Sequence, residues 1–237
     1  NGIYPTKWAA KGYLAKVFFQ MNKFDSAYKY ANEVITGSTA VFDASASYIT
    51  SRFSNPVSAE AVFYLVNDPG NVRFGGLRND GATNIGMALP ISAATYNAGI
   101  ANSNDLRKTW YTSTAGVYGI NKYKANPFVL ATLHITELKL IRAESAAELN
   151  TNLATAITDI NDITNRAYAA TLLPLPGNST AATIKNRVRN ERKLEMIYES
   201  GDRLQEIKRI GAKGEPSFSH GGAPWNCNGM VLQFPAN

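Results

Sequence analysis

Chemistry in this chain would have to come from a short list of residues. Glu191, Arg192, Glu195, Glu199 and Arg203 crowd one stretch, and two carboxylates held apart on one scaffold are the minimum for acid–base work on a glycosidic bond. Each of these carboxylates has a cation within one helical turn, so ionised, paired side chains are expected rather than a proton donor with a raised pKa. Glu191, Arg192, Glu195 and Arg203 are therefore read as structural ion pairs. His134 and His220 are the only histidines and Cys227 the only cysteine. No HxxxH, HExxH or paired-cysteine spacing accompanies them, so no metal site, cofactor or internal disulfide framework is expected. No serine sits in a GxSxG setting, and the glycines of 75–81 (GGLRNDG) open no evident helix, so turn chemistry accounts for them. No catalytic residue is assigned, and the chain is read as not an enzyme.

A second set of residues suits binding instead. Sugar rings present apolar C–H faces that a flat aromatic ring can cover, while amide, carboxylate and guanidinium groups bond the hydroxyls. Arg73, Phe74, Arg78, Asn79 and Asp80, then Tyr96 beside Asn97, then Trp110 and Tyr111 after Asp105, and finally Trp225, combine these ingredients. The alternative for each ring is that it fastens a loop to a helix.

These residues must be positioned by helices. The centre of the chain is a helical hairpin whose first half repeats Ile135, Leu138, Ile141, Ala143, Ala146 and Leu149 at near-helical spacing. After the turn formers of 150–152, a second stripe runs through Leu153, Ala156, Ile157, Ile160 and Ile163. Residues 5–36 repeat the plan: Pro5 suits a first helical turn, Asn22-Lys23 turns the chain, and Gly37 follows the second helix. Small residues at Ala15, Ala27 and Ala31 allow a close crossing, the logic of tetratricopeptide repeats. The expected fold is mainly α: tetratricopeptide-like hairpins with a long loop-rich excursion containing a few short strands.

The boundaries follow from composition. A first hairpin over 5–36, an excursion over 40–127, a central hairpin over 128–167, C-terminal helices over 182–211 and an irregular tail over 212–237 make one domain. Within the excursion, strands are expected at 61–66 (AVFYLV) and 120–124 (INKYK), with helical turns at 92–96 and 104–109. Helix is expected again over 183–198 and 203–210.

Charge excludes one class of partner. The formal net charge is +6, and 185–213 supplies nine Lys or Arg against five acidic residues. Because both signs are interleaved at three- and four-residue steps, that segment reads as a face of intrahelical and interhelical ion pairs, not a nucleic-acid surface. No apolar run is long enough to cross a membrane, and residues 1–20 lack a signal-peptide layout.

The order of motifs adds a family. KWAAKGYLAKVFFQMNKFDSAYKYANEVI, EAVFYLV, DLRKTWY, INKYKA, ITELKLIRAESAAELN, AITDINDITNRA, VRNERKLEMIYESGDRLQEIKRIG and LQFPAN together resemble the C-terminal two thirds of the SusD/RagB family. The match is densest over 137–166 and 190–211. This resemblance implies a non-catalytic, outward-facing lipoprotein of the outer membrane that captures oligosaccharide or polysaccharide for a SusC-like TonB-dependent transporter. It also implies that Arg203 of SGDR ties helices together. By the same comparison the chain is expected to be N-terminally truncated, with membrane contact only through a lipid anchor it does not contain. A peptide-capturing member of the family, or a generic tetratricopeptide scaffold for other proteins, are the alternatives.

Overall fold

A computed structural model of the chain describes residues 4–53, 57–66, 90–123, 129–215 and 224–228. The first hairpin pairs α1 (Lys7–Gln20) with α2 (Phe24–Gly37). Pro5 precedes the first helix rather than entering it, because Thr6 is the N-cap and its hydroxyl accepts the Ala9 N–H at 3.2 Å. Asn22 takes the left-handed conformation that the turn needs. Ala15, Ala27 and Ala31 are fully buried at the crossing, and Phe19 meets Phe24 edge to face at 6.1 Å. Gly37 is the last helical residue, not the one after it.

The excursion holds more regular structure than its composition suggests. A short helical turn, α3 (Tyr48–Ser51), leads to strand β1 (Ala61–Val66). Helix α4 (Ala93–Ile100) is longer than the expected turn because Ser92 caps it, its hydroxyl accepting the Thr95 N–H at 3.1 Å. A 3-10 turn, Leu106–Trp110, begins at Asp105 and feeds the hairpin β2 (Tyr111–Thr114) and β3 (Val117–Ile120). Strand β3 ends where a strand over 120–124 was expected to begin. Lys122 and Tyr123 leave the ladder and turn inward, both almost fully buried.

Strand β4 (Val129–His134) pairs antiparallel with β1, from Ala61 opposite His134 to Val66 opposite Val129. It occupies the start of the expected central hairpin and runs without a break into α5 (Ile135–Leu149). His134 is both the last strand residue and the helix N-cap: its Nδ1 accepts the Glu137 N–H at 3.2 Å. Glu60, at the foot of β1, reaches the same helix end, accepting from the Thr136 N–H at 2.9 Å. Three helices follow: α6 (Leu153–Ala167), α7 (Ala181–Glu195) and α8 (Asp202–Ala212). The segment 196–200 is a turn, not the continuation of α7.

The central helix is buried on every side. All residues from Ile135 to Ala147 are buried, including Glu137, Lys139, Arg142 and Glu144. One flank packs through Leu138 and Ile141 onto Phe19, Ala27 and Ala31 of the first hairpin. The other packs through Leu140, Ala143 and Ala146 onto Ala156, Ile160, Ile184 and Val188. The charged side chains between these flanks find partners on each neighbour. Lys139 and Arg142 reach Asp159 of α6 at 2.8 and 2.7 Å, Glu144 reaches Arg189 of α7 and Arg209 of α8 at 2.7 Å each, and Glu137 reaches Lys16 of α1 at 2.9 Å.

Candidate functional site

Three carboxylates four residues apart, Glu191, Glu195 and Glu199, point from α7 and its sequel into the interior. The excursion meets each of them with a cation. Glu191 bonds Arg107 at 2.8 Å, Glu195 bonds Arg52 at 2.7 Å, and Glu199 pairs with Lys122. Arg166 of α6 joins Glu195 to Glu60, at 3.4 and 2.6 Å, and His134 Nε2 meets Glu199 at 2.9 Å. His134 Nδ1 lies against the backbone N–H of Glu137, and Nε2 sits between Glu199 at 2.9 Å and the Arg52 guanidinium at 2.8 Å. Arg192 turns the other way and grips Asp202, with its Nε 3.0 Å from both carboxylate oxygens, tying α7 to α8. Arg203 pairs with Glu206 one turn on in its own helix.

Electrostatics keeps this cluster charged at its centre. Burial pushes the Glu195 carboxyl up, but the Arg166, Arg52 and Arg107 guanidiniums outweigh it and hold it at about 2. Glu199 is likewise held below the ordinary range, burial being overcome by Arg52, Lys122 and His134. Burial brings the Lys122 ammonium down to about 8 despite Glu199. Glu195 is fully buried with both oxygens engaged by arginines. It has nothing left to offer a substrate.

The cluster supports the floor of a cleft of about 1180 Å³. One wall runs from Pro90 through Ser92 and Thr95 to Gly99, with Tyr111 behind it; the other runs from Asn190 through Lys193 and Tyr198 to Arg203 and Ile207. Lys122 fixes the turn between α7 and α8 from below, donating to the Glu195 carbonyl at 2.6 Å and the Ile197 carbonyl at 3.3 Å. Tyr123 donates to the Tyr198 carbonyl at 2.8 Å. Held this way, Tyr198, Ser200 and Gly201 all adopt left-handed backbone, with φ of 58°, 50° and 66°. An aromatic residue in that region costs about 1–3 kcal/mol and persists only where its surroundings impose it. The result is a tyrosine residue left 41% exposed at the cleft, its hydroxyl donating across to the Pro90 carbonyl.

The residues singled out from sequence fall in several places. Arg73, Phe74, Arg78, Asn79 and Asp80 lie outside the described residues. Trp110 is buried, donates its indole N–H to the Ile49 carbonyl at 2.7 Å and has the Lys122 ammonium 4.0 Å from its ring centre. Tyr111 is buried beneath α4, where a Cβ on Gly99 would stand 2.1 Å from the ring. Tyr96 is half-buried, 4.7 Å from the Tyr118 ring and edge-on to Tyr111 at 6.5 Å. Trp225 lies half-buried against α8, where a Cβ on Gly211 would come within 2.2 Å of its ring. Tyr96 and Tyr111 are thus brought together behind the cleft wall. Tyr198, Asn190 and Lys193 were not singled out; the turn formers Ser200-Gly201 were the one signal that the chain bends at Tyr198.

The close approach at Gly99 gives a direct test of this wall. Gly99→Val is expected to lower stability by about 1–3 kcal/mol, since the Tyr111 ring it would strike is buried and must shift. Chemical denaturation followed by near-ultraviolet circular dichroism checks it, and an unchanged midpoint would show that α4 does not rest on Tyr111.

Among the described residues, no group of three or more His, Cys, Asp or Glu could hold a metal ion, and no helix is long and apolar enough to cross a membrane. The SusD family model matches residues 131–230. A SusD superfamily protein from Bacteroides thetaiotaomicron superimposes with a TM-score of 0.73 at 19% identity, over 87% of this chain and 51% of that one. A SusD-like carbohydrate binding protein from Bacteroides vulgatus gives 0.69 at 15% identity, over 88% and 46%. Bacteroides fragilis NanU gives 0.67 at 16%, over 90% and 57%. The chain therefore spans about half the length of these solved structures. No curated protein matches the sequence.

Proposed function

We propose that this chain, a SusD-family protein by its matched segment and by its fold, is a non-catalytic binding protein that captures carbohydrate in the cleft between α4 and the α7–α8 turn. The observation that carries the reading is Tyr198, exposed at the cleft in a strained backbone conformation. An aromatic face flanked by Ser92, Thr95, Asn190, Lys193 and Arg203 offers one apolar platform and several hydroxyl partners, the mixture a sugar needs. At about 1180 Å³ the cleft suits a short oligosaccharide better than a single sugar. The carboxylates that would have to perform hydrolysis are engaged by arginine, lysine and histidine, which supports binding without turnover.

By extension from the family, the protein works at the outward face of the outer membrane and passes its ligand to a SusC-like TonB-dependent transporter. The loop residues Arg73, Phe74, Arg78, Asn79 and Asp80, and the rings of Tyr96, Trp110, Tyr111 and Trp225, remain proposed contributors to recognition. In this arrangement Tyr111 and Trp110 act by shaping the wall and floor.

Calorimetric titration with a panel of oligosaccharides tests the reading. Tyr198→Ala is expected to weaken the best ligand by about tenfold or more, as removal of a central aromatic contact does. Tyr198→Phe, which keeps the ring and loses only the bond to Pro90, should retain most of the affinity. Binding of peptides but of no carbohydrate would overturn the proposal, as would hydrolysis of a bound glycan abolished by one carboxylate substitution.

A further inference from the structure

Lys122 touches no part of the cleft's lining, yet its buried side chain carries the turn on which Tyr198 sits. An ammonium has three protons, and this one meets three oxygens of that turn: the Glu195 carbonyl at 2.6 Å, the Ile197 carbonyl at 3.3 Å and Glu199 Oε1 at 2.5 Å. An amine has two protons and a lone pair. Without its charge Lys122 would leave one of those oxygens without its donor, and the attraction of the Trp110 ring, 4.0 Å from Nζ, would go as well.

The groups around Lys122 do not replace that hold. Arg52, just after α3, and His134, at the end of β4, also reach Glu199, at 3.4 and 2.9 Å, while Arg107 and Arg166 reach the Glu195 carboxylate at 3.7 and 3.4 Å. These contacts fix carboxylates, whereas Lys122 grips the backbone of the turn. Burial pushes the neighbouring Tyr123 hydroxyl well above its ordinary range, so its bond to the Tyr198 carbonyl at 2.8 Å persists in mild alkali.

We propose, on the reading of the cleft as a carbohydrate site, that Lys122 is its positioning residue and a proton switch: the ammonium holds the turn in the shape that presents Tyr198, and the amine lets that shape go. The left-handed backbone of Tyr198 and Ser200 then relaxes. Burial outweighs Glu199 and sets the Lys122 value at about 8, which places the change in mild alkali. The fold survives it. Because the folded value lies below the unfolded 10.5, the unfolded chain keeps the proton to higher pH, and this group adds stability as pH rises from about 8 to 10.5.

Calorimetry with neutral hexasaccharides of glucose, xylose, mannose and galactose, at about pH 7 and about pH 9, tests the switch on ligands without charge of their own. If the ammonium form alone binds, the best of them should weaken about tenfold at the higher pH, where about a tenth of Lys122 keeps its proton. Lys122→Met should bind about tenfold more weakly than wild type at about pH 7 and lose little more at about pH 9. Wild-type affinity that holds, or an equal fall in both proteins, which would assign the effect to another group such as Lys193 on the cleft wall, would overturn the proposal. Amide hydrogen exchange reads the turn without ligand: protection at Glu199 and Asp202, whose N–H groups bond the Met196 and Glu199 carbonyls at 3.0 and 2.9 Å, should drop about tenfold over the same interval after correction for intrinsic rate, with α5 unchanged. Constant protection at the turn would also overturn it. In urea, wild type should gain stability relative to Lys122→Met over the interval, and a loss would make the effect global unfolding instead of a local switch. Should none of the hexasaccharides bind, that failure counts against the carbohydrate reading, and the exchange profile still decides the switch.

Discussion

Glu195→Leu is expected to lower the free energy of unfolding by about 3–5 kcal/mol, the cost of stripping one partner from a buried ion cluster. The side chain is fully buried and lies between Arg52 at 2.7 Å, Arg166 at 3.4 Å and Arg107 at 3.7 Å. Leucine is close in volume, so little cavity forms; what remains is three guanidiniums that have lost the carboxylate they share and turn an apolar group towards it, each keeping only its other partners, Glu199 for Arg52, Asp105 and Glu191 for Arg107 and Glu60 for Arg166. Glu195→Gln should cost a similar amount because it, too, removes the charge. Urea unfolding at neutral pH measures both. A loss under 1 kcal/mol would mean that water or rearranged neighbours neutralise the arginines.

Acid should erase that difference. The Glu195 carboxyl has a folded value of about 2 against 4.5 for an unfolded carboxylate, so its stabilisation is complete above the unfolded value and vanishes as pH falls through the folded one. The window is therefore pH 4.5 to 2, and the amount lost about 3 kcal/mol. Glu199 acts in the same direction. Glu191, Asp202 and Glu206, which burial pushes up in spite of Arg107, Arg192 and Arg203, work in the opposite sense, their protons being taken up first by the folded state. Total stability therefore mixes both signs, whereas the gap between wild type and Glu195→Gln isolates one group. That gap should be widest above pH 5 and close towards pH 2. A gap constant from pH 7 to 2.5 would show that Glu195 is not the charge the arginines hold.

Both helical hairpins could be read from the spacing of apolar residues, and the small residues at their crossings, Ala15, Ala27 and Ala31, sit where that spacing puts them. The burial of α5 on every side could not. Lys139, Arg142 and Glu144 look like a solvated face until Asp159, Arg189 and Arg209 are known to stand opposite, and no periodicity in α5 reveals a partner 17 to 65 residues away. Glu191, Glu195 and Glu199 show the same limit. Their spacing suits cations on neighbouring helical turns, yet the bonds go to Arg107, Arg52 and Lys122 of the excursion. Strand β4 was hidden because its apolar run flows into the helix. Of the candidate cleft, Tyr111 was singled out from sequence and stands behind one wall, whereas Tyr198 was not, since its exposure depends on a left-handed turn that Lys122 and Tyr123 impose from a distance.

The pairing of Val66 with Val129 brings the two ends of the inserted stretch side by side, so by geometry alone it resembles a cassette open to exchange for another. Chemistry forbids the exchange. Arg107 and Lys122 travel with that stretch and neutralise Glu191 and Glu199 in the frame, so a foreign insert lacking them would strand Glu191 in the interior and leave Glu199 to Arg52 and His134 alone. The inserted stretch and the helical frame are consequently coupled through charge, and among related proteins a change at Arg107 is expected to travel with a change of the carboxylate it faces, Glu191.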